Sequence, residues 1–119
     1  MTVRGNAPNI PYSKMARHVL GPAYELSLVI CGDKLAQRIN SEYRKKTYYP
    51  NVLSFPLTKN EGEMFLNIRK AEREAHSLGV SVRERTALLY VHGLWHLKGL
   101  DHSDMMERHE RETLRAFGL

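Results

Sequence analysis

Three histidines in the C-terminal third of the chain have a spacing that can hold a metal ion. His92 and His96 are four residues apart in a segment with helical periodicity, so their side chains lie about 6 Å apart on one face. Gly99 can end the helix in a left-handed conformation, and the returning chain brings His102 toward the same face. Three neutral nitrogen ligands leave a fourth position open, as in catalytic zinc sites. We therefore predict one divalent ion at His92, His96 and His102; zinc suits this set best, although nickel, cobalt and copper also fit.

The spacing H-x3-H-x5-H with a glycine between resembles the metal-binding segment of metzincin peptidases. In those enzymes a general-base glutamate follows the first histidine, but here that position holds Gly93. A metallopeptidase-like hydrolase is therefore kept only as an alternative. Asp101 can accept a hydrogen bond from a ligand imidazole or lie near the open coordination position. A turn aspartate bonded to its own backbone explains it equally well.

Other reactive residue types have simpler interpretations. His18, His76 and His109 lack partners at ligand spacing and are interpreted as surface residues, with His109 kept as an outside candidate for ligation because it lies on the following helix. Ser54 lies in an apolar strand with no visible base, so it is interpreted as a structural hydroxyl. Cys31 is the only cysteine, which excludes an intrachain disulfide and favours a reducing compartment. Its apolar surroundings predict a small core residue.

Apolar periodicity and capping residues predict the elements that position these side chains. We predict helices at 13–20, from an Asp33 N-cap through Tyr43, at 69–78, from the Ser81–Glu84 capping box to Gly99, and from Ser103 or Asp104 onward. Strands are predicted at 24–31, 52–55 and 63–68. This pattern indicates one α+β domain over residues 1–119, with one small mixed sheet, several helices and a zincin-like metal site on a helix–turn segment.

The composition is that of a soluble globular protein, with 119 residues of which 42% are hydrophobic and 26% charged. No apolar run approaches the roughly 18 residues that span a bilayer, and Met1 to Pro11 shows no secretory signal. We therefore expect a cytoplasmic protein without a membrane partner. The formal net charge of +5 favours a polyanionic partner such as RNA, although a merely soluble basic protein would share it.

Residues 92–102 resemble the hallmark H-G-x-x-H-L-x-G-Y-D-H of the YbeY family of ribosomal-RNA maturation factors, predicted metal-dependent endoribonucleases. Tyr43-Arg44 followed by residues 51–56 is similar to the family segment Y-R…[D/N]-V-L-S-F-P at the same spacing. Residues 62–66 resemble its G-D-I-x-I segment, and residues 71–75 fall where its next helix lies. The resemblance covers the chain from roughly Glu25 to the C-terminus.

The resemblance implies an α+β fold with the metal site on a helix beside the sheet. It implies metal ligands at His92, His96 and His102 and a functional arginine at Arg44. The implied activity is that of a single-strand endoribonuclease in ribosomal RNA maturation and ribosome quality control. Its implied partners are RNA, ribosomal particles and ribosome-associated proteins.

In this interpretation His92 and Arg44 are catalytic. Arg44 would contact a phosphate and stabilise charge in the transition state; the alternative is a solvated charge at a helix end. Lys45 and Lys46, with Tyr48 and Tyr49, could track an RNA strand and stack on its bases, or form a mobile basic loop.

The chain departs from the family pattern at several positions. Lys45 and Thr47 stand where the connector usually carries Gly and Asp, Glu63 replaces an Asp, and Leu100 replaces a Tyr. The first strand of the family is expected to be abbreviated here. None of these departures touches the three predicted ligands.

Two questions stay open at the level of sequence. The general base can be a metal-activated water, Asp101 or a 2′-hydroxyl of the substrate. A non-enzymatic ribosome-associated assembly factor with a structural metal fits the basic charge as well as a nuclease does.

Overall fold

The computed structural model describes residues 1–100 and 104–119. Over these residues the chain forms four strands and five helices. The strands are β1 (Thr2–Arg4), β2 (Glu25–Cys31), β3 (Val52–Thr58) and β4 (Glu61–Asn67). The helices are α1 (Tyr12–Leu20), α2 (Asp33–Arg44), α3 (Ile68–Leu78), α4 (Val82–Lys98) and α5 (Asp104–Ala116).

The four strands form one mixed sheet in the order β1-β2-β4-β3. Strand β2 pairs parallel with both β1 and β4, whereas β3 pairs antiparallel with β4 and forms an edge. Alternate residues of β2 are buried, as expected for a strand with one face on the core. The predicted α+β class with one small mixed sheet is confirmed.

The main core lies between one face of the sheet and helices α1, α3 and α4. Leu28 and Met64 are register neighbours on this face, and both are fully buried with Tyr90 and Leu94 of α4. Tyr90 also donates a hydrogen bond from its hydroxyl to the Tyr12 carbonyl at 2.7 Å. Helix α4 is therefore fixed against the sheet along its length, which makes it a rigid support for side chains on its remaining face.

Both ends of α4 follow the sequence prediction. The Ser81 hydroxyl accepts a hydrogen bond from the Glu84 amide at 3.0 Å and caps the first turn. Gly99 has φ 107° and donates its N–H to the His96 carbonyl at 3.0 Å. The helix therefore stops one turn after the second predicted ligand, in the left-handed conformation that glycine favours.

Helix α2 packs against β3 and β4, and one predicted detail there is wrong. Asp33 is not the N-cap of α2, because Gly32 occupies that position without a side-chain cap. The Asp33 carboxylate instead accepts hydrogen bonds from Arg73 at 2.8 and 2.9 Å and from Asn67 at 2.9 Å. The Arg73 and Asn67 hydrogen bonds lower the pKa of Asp33 to about 2. Asp33 therefore ties α2 to the junction between β4 and α3.

Strand boundaries show where sequence prediction was incomplete. Strand β3 extends to Thr58 rather than stopping at Phe55, and β4 begins at Glu61, so only Lys59 and Asn60 form the turn. The first strand contains three residues and pairs with β2, in line with the abbreviated first strand expected from the family pattern. None of the helices over the described ranges is both long and apolar enough to cross a bilayer.

Candidate active site

His92 and His96 point toward each other on the exposed face of α4. Their Nε2 atoms are 3.0 Å apart, and the two rings are nearly perpendicular with centroids 4.6 Å apart. Two nitrogens bound to one tetrahedral zinc ion at about 2.0–2.1 Å each lie about 3.3 Å from one another. The i, i+4 pair therefore presents two converging nitrogens, which lie at hydrogen-bond distance and about 0.3 Å closer than two ligands of one zinc ion.

Glu110 of α5 lies behind His92. Its Oε2 is 2.7 Å from His92 Nδ1, and Glu110 is only 8% exposed. When Nδ1 carries the imidazole hydrogen, its N–H donates a hydrogen bond to the Glu110 carboxylate. The lone pair of Nε2 then faces His96. A carboxylate on the far nitrogen is the usual arrangement behind a histidine metal ligand, because it fixes both ring orientation and tautomer.

Helix α5 is held against α4 by contacts on either side of Glu110. The Trp95 indole N–H donates to the Thr113 hydroxyl at 3.1 Å, and Trp95 stacks on His109 with ring centroids 4.4 Å apart. His109 was predicted to be a surface residue, but this stacking makes it half-buried. His18 and His76 are exposed, as predicted. The carboxylate of Glu110 is thus positioned by packing rather than by a flexible loop.

The histidine pair opens into a cleft of about 610 Å³. Its charged and histidine side chains belong to four elements: Arg44, Lys70, Arg85, His92, His96 and Glu110. Among the described residues that line it, three carry a permanent positive charge and one is a carboxylate. This balance favours an anionic ligand.

Arg44 occupies the last turn of α2 and is exposed at the wall of the cleft. Its guanidinium carbon lies 5.6 Å from the centroid of the Phe55 ring, within the range of a cation–π contact. The structure therefore places the arginine implied by the family pattern beside the same cleft as His92. Its position at the end of α2 is also the one that complements the helix dipole.

The connector between α2 and β3 is anchored through its backbone. The amide of buried Asn40 donates to the Tyr48 carbonyl at 3.1 Å, and Lys70 Nζ donates to the Tyr49 carbonyl. Lys45 adopts a left-handed conformation with φ 58°, at a position where the family pattern usually has glycine. Lys45 and Lys46 are exposed and are not among the residues lining the cleft.

Gly93 explains why this helix has no glutamate after its first histidine. A Cβ on Gly93 would lie 2.7 Å from Met64 Cε and 2.9 Å from Ser54 Oγ. The Ser54 hydroxyl donates to the Gly93 carbonyl at 3.1 Å, which confirms its predicted structural role. The position that bears the general base in H-E-x-x-H peptidases is therefore pressed against the sheet here and has no room for a side chain.

Two predicted site residues, Asp101 and His102, lie outside the described residues. Over the ranges 1–100 and 104–119, no group of three histidine, cysteine or acidic side chains is placed to hold a metal ion together. The described part of the predicted site is thus the His92–His96 pair. Glu63 is half-buried on β4 and is not among the residues that line the cleft. The replacement of the family's Asp by Glu63 therefore lies outside the described cleft lining.

Sequence reasoning missed Glu110, although a signal for it exists. Met106, Glu110 and Leu114 follow at intervals of four along α5, and Met106 and Glu110 are buried. An acidic residue in the middle of an apolar helical stripe must find a partner, because an unpaired buried carboxylate is costly. The identity of that partner requires knowing how α5 packs on α4.

Comparison with known proteins assigns a family to this arrangement. A family model described as endoribonuclease YbeY matches residues 9–118. The chain belongs to the YbeY family. The membership predicted from residues 51–56 and 92–102 is therefore confirmed.

Individual relatives agree with the family model. Proteins named endoribonuclease YbeY include one from Mycoplasma mycoides, 34% identical over 113 residues, which span 78% of this chain and 69% of the relative. One from Ehrlichia canis is 33% identical over 94 residues, which span 75% of this chain and 61% of that protein. One from Helicobacter pylori is 36% identical over 109 residues, which span 86% of this chain and 78% of that protein.

The fold is shared with a solved structure as well. The solution structure of a Thermotoga maritima protein superposes with a TM-score of 0.69 over 95% of this chain and 85% of that one. The sequence identity is 16%, so the likeness supports the fold alone.

Proposed function

We propose that this YbeY-family chain is a metal-dependent endoribonuclease that cleaves single-stranded RNA during ribosomal RNA maturation. The observation that carries the proposal is the pair of imidazole Nε2 atoms, 3.0 Å apart, on the wall of a cleft that also holds Arg44, Lys70 and Arg85. Nitrogen donors of this kind suit a divalent ion, and the cationic wall suits a phosphodiester. The curated relatives carry the name endoribonuclease.

His92 and His96 would hold the ion, together with His102 from outside the described residues. The donor chemistry fits zinc, because both described nitrogens belong to imidazole rings and converge. Bound there, a divalent ion would supply Lewis-acid polarisation of a water or a phosphoryl oxygen. Glu110 keeps the His92 ring oriented through its 2.7 Å contact with Nδ1.

Arg44 is proposed to bind the phosphate of the scissile linkage. Its guanidinium has several donors in one plane and stays charged at any physiological pH, so it can neutralise charge that develops on phosphoryl oxygens. The aromatic ring of Phe55 supports the guanidinium from one side. Lys45 and Lys46 are proposed to contact the RNA backbone outside the cleft, where both are exposed.

The wider biological assignments belong to the same proposal. Residues 1–119 would form one hydrolase domain acting in the cytoplasm on ribosomal RNA or ribosomal particles, with ribosome-associated proteins as partners and a part in ribosome quality control. A metallopeptidase is disfavoured because Gly93 packs on Met64 and Ser54 and leaves no room for a base. An assembly factor with a structural metal predicts no cleavage by the purified protein.

Replacement of Arg44 tests the proposal. Because transition-state charge stabilisation by one side chain is worth about 100- to 1,000-fold in rate, Arg44→Ala should slow cleavage of a single-stranded RNA by about 100-fold or more. Metal content, measured by mass spectrometry of the digested protein, should stay at the parent level. Arg38→Ala is the matched control, since Arg38 is an exposed arginine of the same helix outside the cleft lining.

Equal cleavage by the parent and Arg44→Ala would remove Arg44 from the mechanism. Equal losses in Arg44→Ala and Arg38→Ala would mean that general positive charge, rather than this position, supports the reaction.

A further inference from the structure

The cleft has a second end, away from the histidine pair. Along α4, Arg85 precedes His92 by seven residues, which is about 10 Å at 1.5 Å per residue. Arg85 bonds Glu74 at 2.9 Å, and the Asn51 amide donates to the same carboxylate at 3.2 Å. Arg85 and Asn51 therefore mark a distinct end of the cleft, built from the starts of α4 and β3.

Tyr48 lies at this end and lines the same cleft. Tyr48 is 55% exposed, yet its backbone carbonyl accepts a hydrogen bond from the side-chain amide of Asn40, which is fully buried. A large exposed ring on an anchored backbone loses little conformational freedom when it binds a flat partner. Its polar hydroxyl and apolar faces suit a nucleobase better than an aliphatic group.

Lys70 supplies a positive charge beside this ring. Its Nζ lies 5.9 Å from the Tyr48 ring centroid and donates one hydrogen bond to the Tyr49 carbonyl. An ammonium group has three donors, so two remain for a phosphate. The combination of an exposed aromatic face and an adjacent cation is the pattern by which proteins hold single-stranded nucleic acid.

Two nearby tyrosines differ from Tyr48 in position. Tyr49 is 49% exposed but does not line the cleft, and Tyr43 packs near Phe55 with ring centroids 5.7 Å apart. Similar exposure with a different location makes Tyr49 an internal control.

We propose that Tyr48 forms a nucleobase subsite in which an unpaired base of the strand bound in the cleft stacks on the ring while Lys70 contacts the RNA backbone. The proposal rests on the proposed function and adds a residue that selects single strands. Bases inside a duplex are stacked on both faces and cannot reach the ring without unpairing. The subsite therefore accepts loops, ends and unpaired segments, and it tolerates any base because every base has a π face.

Equilibrium binding without catalysis tests the subsite. Fluorescence anisotropy would measure binding of a labelled oligouridylate and of an abasic oligonucleotide of equal length, both in chelator so that no cleavage occurs. Tyr48→Ala should weaken oligouridylate binding by about 5- to 100-fold, the range for loss of one base–aromatic stack. Tyr48→Phe and Tyr49→Ala should bind within about twofold of the parent. Binding of the abasic strand should be the same for the parent and Tyr48→Ala.

The outcomes separate this subsite from the proposed function. If Tyr48→Ala and the parent bind oligouridylate equally, or if Tyr49→Ala loses as much, the subsite is wrong while RNA binding stands. If the parent binds neither strand in chelator, the subsite is overturned, and cleavage by the metal-loaded protein then decides the proposed function separately.

A second measurement covers the case in which Tyr48→Ala does not fold. Parent protein is irradiated with RNA carrying 5-iodouridine, and the cross-linked peptide is sequenced by mass spectrometry. Attachment at Tyr48 supports the subsite, and attachment confined to other residues overturns it.

Discussion

At the scale of residues, His92 uses its two ring nitrogens for different tasks. Nδ1 meets the Glu110 carboxylate at 2.7 Å, and Nε2 faces His96 Nε2 at 3.0 Å. Because the carboxylate favours the proton on Nδ1, it prepares the opposite nitrogen to donate its lone pair to an ion. Glu110 is therefore a positioning residue that acts on the proposed metal through His92.

Removal of this carboxylate should weaken metal binding directly. Glu110→Ala is expected to lower zinc affinity by about 10- to 100-fold, the usual effect of losing the carboxylate behind a histidine ligand. Competition with a chromophoric chelator measures this affinity without any RNA. The control is Glu112→Ala, which removes an exposed carboxylate from the same helix.

Unchanged zinc affinity in Glu110→Ala would contradict the positioning role. An equal loss in Glu112→Ala would show that the net charge of α5, rather than the contact with His92, supports binding.

Site residues could be predicted from the sequence where their spacing along one helix is enough to bring them together. His92 and His96 could be predicted because residues i and i+4 of a helix lie next to each other on one face. Glu110 could not be assigned to His92, since their contact bridges 18 residues and depends on how α5 docks. For the same reason, nothing in the connector sequence distinguished Tyr48, which lines the cleft, from Tyr49, which does not.

At the scale of elements, the close approach of α4 to the sheet depends on a glycine. Gly93 is buried, and its missing side chain lets the helix lie against Met64 and Ser54. This contact determines the distance between helix α4, which carries His92 and His96, and strand β3, which lines the same cleft. The glycine is thus a packing requirement of the site.

Gly93→Ala should therefore destabilise the protein although alanine favours helices. Overpacking in a filled core typically costs about 1–3 kcal/mol, against a gain of about 1 kcal/mol in helix propensity. We expect the free energy of unfolding in urea to fall by about 1 kcal/mol. In a Met64→Ala background, where Met64 Cε and Sδ are absent and Ser54 Oγ alone of the three close atoms remains, the same substitution should destabilise the protein less.

A stabilising effect of Gly93→Ala in the parent chain would contradict this explanation. So would an equal loss in both backgrounds, because the contact with Met64 would then not be its cause.

Element types were predictable from periodicity, whereas several details needed tertiary contacts. Helix α4 begins after the Ser81 N-cap and ends at Gly99, as the capping hydroxyl and the left-handed glycine predict. Asp33 had the residue type of an N-cap, but its carboxylate forms an ion pair with Arg73 of α3 and does not cap α2. Strand β1 has three exposed residues and no apolar pattern, so only its pairing with β2 defines it.

At the scale of the whole molecule, the fold brings distant segments to one cleft. Arg44 ends α2, Ser54 lies on β3, Lys70 starts α3, and His92 and Glu110 come from α4 and α5. The net charge of +5 predicted a polyanionic partner without locating it. The structure places three of those cations, Arg44, Lys70 and Arg85, in the lining of the cleft that also holds the histidine pair.

The most direct measurement compares RNA cleavage by zinc-loaded parent protein and His96→Ala, purified in parallel, on a single-stranded ribosomal RNA fragment. The parent should cleave, chelator should abolish cleavage, and His96→Ala should lose both bound zinc and activity while remaining folded by circular dichroism. Equal cleavage by both proteins would indicate a contaminating nuclease. Stoichiometric zinc in a parent that cleaves no RNA would contradict the nuclease assignment.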